Sequence, residues 1–176
     1  MRIGMCGTVS VGKTTLVNAL QDTKQFKDYV FRTERSKFLM EQGIPLNTDS
    51  TLKGQTIFLA ERCGELIQEN IITDRTVIDV MSFTQNAKSI PYQDKEAFEK
   101  YASEFIYDYD FIFYISPKGI DVEDNGVRET NVEYRDLIDD TIVELIQKYG
   151  HRAGNIEMIS GTTEERIKQI LSFTNL

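Results

Sequence analysis

Short apolar runs alternate with amphipathic stretches along the whole chain. Five runs read as strands: Arg2–Cys6, Tyr29–Thr33, Ile71–Thr73, Phe111–Ile115 and Ile156–Ile159. Between them, core-type positions recur at three- and four-residue steps, the period of a helix buried on one side. Leu52, Thr56, Leu59, Cys63, Leu66 and Ile67 predict a helix from about 50 to 69. Phe98, Tyr101, Ala102, Phe105 and Ile106 predict another, and Tyr134, Leu137, Ile138, Ile142, Leu145, Ile146 and Tyr149 a longer one ended by Gly150. Lys13–Gln21 and Glu34–Gln42 read as short helices, and a last helix runs from Glu164 to about Phe173 with Thr162 or Thr163 as its N-cap. Strands alternating with helices predict an α/β protein with a parallel sheet. Gly43–Ser50 and Ser116–Gly126 read as polar loops.

Composition narrows this picture without changing it. The chain has 176 residues and no internal linker, so one domain over 1–176 is expected. Its net charge is −8, from 20 basic and 28 acidic residues, with no basic run, which disfavours extended nucleic-acid contact. The two cysteines, Cys6 in a strand and Cys63 on a helix, read as buried thiols rather than a disulfide framework. No apolar stretch approaches about 18 residues and no signal-type segment opens the chain, so a cytoplasmic protein without membrane contact is expected.

The chemistry concentrates at strand ends. Gly7-Thr-Val-Ser-Val11-Gly12-Lys13-Thr14 fits GxxxxGK[ST], with a strand before it and a helix after it. Such a loop curls main-chain N–H groups round a phosphate at the positive end of a helix. Lys13 is then expected to bridge β- and γ-phosphates, Thr14 to bind Mg²⁺ and Thr15 to meet the α-phosphate, while Gly7 and Gly12 take conformations a Cβ would block. After the second strand, Glu34 is either a base or water-holder, or an acid suited to a helix start, with Arg35 beside it. After the third come Asp74, a Mg²⁺ partner or base, and Arg75, a grip for an acceptor substrate. Asp79 is either a substrate contact or a surface acid. After the fourth, Arg128 and Arg135 are two turns apart: lid arginines for a transferring phosphoryl group, or solvated partners of Glu129, Glu133 or Asp139. Ser160-Gly161-Thr162-Thr163 after the fifth packs against a base or is a simple turn. The lone His151 reads as solvent-facing, and neither a zinc pattern nor a Ser–His–acid set is present.

A DxxG switch and an NKxD base reader are missing, and the fourth strand ends in Ser116-Pro117 rather than paired acids. The chain resembles the P-loop kinases grouped with the ribosylnicotinamide kinase domain, kin of deoxynucleoside and thymidylate kinases. The resemblance rests on Gly7–Thr15, Glu34-Arg35, Asp74-Arg75 with Asp79, Asp124 to Arg128 with Arg135, and Gly161 before Arg166. It is weaker toward phage nucleotide-metabolism and DNA-modification kinases. It implies a three-layer αβα P-loop NTPase fold with strand order 2-3-1-4-5, a lid over about 117–135, and ATP with Mg²⁺ as donor. It also implies phosphorylation of a nucleoside or nucleotide, with Tyr29, Phe31, Phe83 and Tyr92 as candidate base-stackers. Gly7, Val11, Gly12, Lys13, Thr14, Thr15, Gly161 and Thr162 are the expected nucleotide contacts. Lys13, Glu34, Asp74, Arg128 and Arg135 are the expected catalytic groups, and Arg35, Arg75 and Asp79 the expected substrate contacts. A nucleotide-dependent regulatory switch and a kinase for hydroxymethylated bases in DNA are the alternatives.

Overall fold

The computed structural model describes residues 1–33, 35–118 and 132–176. Five parallel strands form one sheet: β1 (Arg2–Cys6), β2 (Val30–Arg32), β3 (Ile71–Asp74), β4 (Phe111–Ile115) and β5 (Asn155–Ile159). Their order is β2-β3-β1-β4-β5. This is the P-loop kinase arrangement that the resemblance implied. Met5 pairs with Asp74 on one side and Phe113 on the other, so β1 delivers its C-terminal loop to the middle of the sheet.

Helices cover both faces, because every strand crossover must lie on one side or the other. On one face lie α1 (Lys13–Gln21) and α7 (Thr163–Thr174), packing Leu16, Leu20 and Ile170 on Ile3, Met5 and Phe113. On the other lie α3 (Leu52–Glu65), α4 (Val77–Asn86), α5 (Tyr92–Ala102) and α6 (Val132–Tyr149). Their core includes Phe58, Leu59, Ile78, Met81, Phe98, Ile138 and Ile142. The β2–β3 connection also carries the short α2 (Ser36–Glu41) ahead of α3. α4 lies beneath its neighbours, with every residue from Val77 to Thr84 buried.

Three expectations need correction. α3 is turned relative to the predicted stripe: Gly54, Gln55, Phe58, Leu59 and Arg62 are buried, while Leu52 and Ile67 are exposed. The helix also stops at Glu65, short of 69. The stretch with Phe105 and Ile106 is not one helix with α5, because a 3₁₀ segment, Ser103–Asp108, follows it. The Gly43–Ser50 loop holds a 3₁₀ turn, Asn47–Asp49, and is strapped down: Lys88 N donates to Thr48 O at 2.9 Å and Ser89 Oγ to Ser50 O at 2.6 Å. α7 meets expectation in detail, since Thr162 caps it in a reciprocal box with Glu165.

Candidate functional site

The loop between β1 and α1 is shaped by its glycines. A Cβ on Gly7 would stand 2.6 Å from the Ile115 carbonyl of β4, so only glycine lets the loop pass the sheet. Gly12, with φ +83°, turns the chain into α1. Three distant elements hold the loop. Gly7 N donates to Asp79 Oδ1 from α4 at 3.1 Å. Thr8 Oγ1 donates to the Arg135 carbonyl of α6 at 2.8 Å. Val11 O accepts from Arg166 Nη1 of α7 at 2.9 Å.

Lys13 Nζ folds back onto the loop and donates to Gly7 O at 2.5 Å and Thr8 O at 2.7 Å, with Asp79 Oδ1 4.0 Å away. Burial pulls its pKa down, and the Asp79 charge opposes that shift. Thr14 Oγ1 donates to Asp74 Oδ2, and Asp74 Oδ1 is buried without a partner. A hydroxyl and a carboxylate oxygen with unused acceptor capacity are the hard donors that Mg²⁺ takes, so these two residues fit the ion.

Asp79 corrects an expectation. It is fully buried, not a surface acid. Both carboxylate oxygens are taken: Oδ1 by Gly7 N, and Oδ2 by Thr76 N and Thr76 Oγ1, each at 2.8 Å. The carboxylate therefore caps α4 and pins the loop from behind, rather than facing a substrate. It also stands next to the Cys6 thiol, whose pKa is raised well above its usual range by burial first and by Asp79 second. Cys63 is only partly buried.

A cavity opens beside Lys13, Thr14 and Asp74. Its far wall is Leu46, Asn47 and Ser50 of the strapped turn together with Gln55, Phe58 and Arg62 of α3 and Phe83 of α4. Arg35 and Lys37 reach it from α2, and Arg75 from the end of β3. Arg75 adopts φ +88°, and its guanidinium lies 4.9 Å over the Phe83 ring. Arg35 pairs with Glu61 at 3.1 Å. Arg62 is buried, donating to the Asp74 carbonyl at 3.0 Å and to Glu65 Oε1 at 2.8 Å. It thus fixes the end of β3 that carries Asp74. Burial raises the Glu65 pKa against the pull of Arg62.

Other expected residues lie elsewhere. Thr15, Gly161 and Thr162 are exposed and do not line this cavity. Arg135 ion-pairs with Asp136 at 3.2 Å, and its charge also acts on Asp139. Asp139 accepts from Tyr114 OH at 3.0 Å. Glu34, Asp124, Arg128 and most of the expected lid lie outside the described residues. Among the candidate stackers only Phe83 lines the cavity. Tyr29 and Phe31 pack on the α1-side core, and Tyr92 is 70% exposed.

Comparison with known proteins agrees with this geometry. A protein-family model described as an AAA domain matches residues 2–166. The chain belongs to that AAA domain family. No curated protein matches its sequence. Among solved structures, a deoxyadenosine kinase from M. mycoides, with products dCMP and dCDP bound, superposes with TM-score 0.67 at 18% identity, covering 99% of each chain. The NadR protein in complex with NR superposes with TM-score 0.75 at 19% identity. That match covers 99% of this chain and 51% of NadR, so this AAA domain spans about half the NadR length. At such identities the likeness is one of fold: a nucleoside-kinase-like P-loop domain.

Sequence reasoning did not pick out Gln55, Phe58, Arg62 or Ser50 in this AAA domain. A usable signal was present, since Gln55, Phe58 and Arg62 follow three- and four-residue spacing along one helix face. Leu52 and Ile67 drew the predicted stripe round to the wrong side. Arg166 was a landmark of the resemblance with no role attached.

Proposed function

We propose that the chain is an ATP-dependent phosphotransferase acting on a nucleoside, a nucleotide or a related hydroxyl-bearing base. The observation that carries this reading is the cavity itself. It runs without interruption from the Lys13–Thr14–Asp74 group to a pocket walled by two aromatic rings, Phe58 and Phe83, and the buried amide of Gln55. Flat apolar faces flanking one amide suit a heterocycle whose edge carries donors and acceptors. Gln55 has no side-chain hydrogen bond within the described residues and so keeps both its donor and acceptor for a ligand. A regulatory ATPase has no need of such a compartment next to its phosphates.

In this reading Mg²⁺, held between Thr14 and Asp74, offsets phosphate charge when bound. Lys13 leaves the Gly7 and Thr8 carbonyls to meet the phosphates. Arg75 and Arg35 orient the acceptor, Glu34 or Asp74 positions its hydroxyl, and Arg128 with Arg135 neutralises the transferring group. Gly161 and Thr162 flank the nucleotide from the α7 side.

The test is ADP formation from Mg·ATP over a panel of nucleosides, nucleotides and hydroxymethylated bases, with mass spectrometry of the acceptor. Turnover stimulated by one acceptor, which gains a phosphoryl group, is expected. Slow hydrolysis that no small acceptor accelerates would overturn the reading in favour of a nucleotide-dependent switch.

A further inference from the structure

Against the phosphate loop lies a cation that no acid among the described residues neutralises. Arg166 sits in the first turns of α7 with 7% of its surface exposed. Its Nη1 donates to Val11 O at 2.9 Å and stands 3.3 Å from where a Cβ on Gly12 would be. Its Nε is buried with no partner. The other buried arginine among the described residues, Arg62, meets Glu65 at 2.8 Å. Arg166 has no carboxylate within ion-pair distance among the described residues. Its neighbour Glu165 is turned away to accept from Thr162 N at 2.8 Å. Burial holds the guanidinium below its ordinary pKa.

Taking a cation out of water without a counter-ion is unfavourable. A neutral donor such as glutamine would satisfy Val11 O at less cost. A full charge at this position therefore calls for an anion that arrives with a ligand, and the loop amides beside Gly12 are where a phosphate is expected. We propose that Arg166 is a positioning residue whose standing charge, delivered through the Val11–Gly12 segment, draws the polyphosphate of a nucleoside di- or triphosphate onto the loop. This rests on the reading of the loop as a nucleotide site but not on any acceptor. Arg166 fixes the Val11 carbonyl toward α7, and none of the described acids compensates its charge. Across a few ångströms of protein, such a charge acts with little screening.

The experiment separates charge from hydrogen bonding. Calorimetry measures Mg·ATP, Mg·ADP and inorganic pyrophosphate binding to the wild type, Arg166→Gln and Arg166→Lys, with melting temperatures of the ligand-free proteins. Glutamine keeps a donor for Val11 O; lysine keeps the charge. The Gln variant should lose at least tenfold in affinity for all three ligands, and the Lys variant should recover most of it. The ligand-free Gln variant should melt no lower than the wild type. A loss below tenfold, or equal losses in the Gln and Lys variants, overturns the proposal and leaves Arg166 a packing residue. Arg166→Met, apolar and of similar reach, is read in the same way if the Gln variant does not fold. Should the wild type take up none of the three ligands, the nucleotide reading of the loop fails; equal uptake by wild type and Gln variant fails only Arg166.

Discussion

The two walls of the cavity are made of different material. The phosphate-loop wall is built from one continuous stretch of backbone, Val9 to Thr14, and distant side chains (Asp79, Arg166) hold the loop from behind. The opposite wall is mostly side chain: Gln55, Phe58 and Phe83, with Asn47 and Ser50 from a strapped turn. A main-chain surface recognises a shape and charge shared by all polyphosphates. A side-chain surface can be rewritten one residue at a time. The first wall is therefore suited to a common donor and the second to a particular acceptor, and substitutions on the two should have separable consequences.

The largest separation should come from Lys13→Ala, with phosphoryl transfer falling by a thousandfold or more (about 4 kcal/mol), as for other lost charge clamps, while acceptor binding by calorimetry stays within a few-fold. Asp79→Ala comes next. It strands Gly7 N and Thr76 N in a buried site, so denaturant unfolding should show a loss of about 3 kcal/mol, and the affinity for Mg·ATP should fall with it. Gln55→Leu should act on the other wall alone, raising the acceptor KM by roughly 30-fold (about 2 kcal/mol) with the KM for ATP unchanged. If Gln55→Leu moves both constants equally, the two walls are not independent. The smallest effect separates site from scaffold. Burial pushes the Cys63 thiol up to about 11, well above the ordinary thiol value. Since its folded pKa is raised, Cys63 contributes stability that is complete below the unfolded thiol pKa and is lost as pH climbs toward 11. Alkylation of native protein at pH 7.5 should leave Cys63 nearly unmodified, rise steeply above pH 10, and leave acceptor turnover unchanged after partial labelling.

What could be read from the sequence follows the same division. The loop from Gly7 to Thr15 is local: its spacing, its strand and its helix are contiguous, so its geometry was predictable. The same holds for the α7 cap, where Thr162 and Glu165 lie three residues apart. Asp79 looked like a substrate contact or a surface acid because its partner, Gly7 N, is 72 positions away and becomes its neighbour only when β1 and β3 pair. The turn of α3 was misjudged because hydrophobicity was taken as the sign of burial. Gln55 and Arg62 are buried through polar roles, one facing the cavity and the other fixing β3, while Ile67 stays outside. Tyr29 and Phe31 were credible stackers until β2 placed them over the α1-side core.

The folded-back ammonium of Lys13 has one more implication. With the carbonyls of Gly7 and Thr8 wrapped around it, an incoming anion must outcompete two peptide oxygens before gaining that charge. Chloride or sulfate would offer too little in exchange. A chain of phosphates, touching several amides at once, could complete the swap, so on the proposed reading the loop itself would discriminate against the commoner ions.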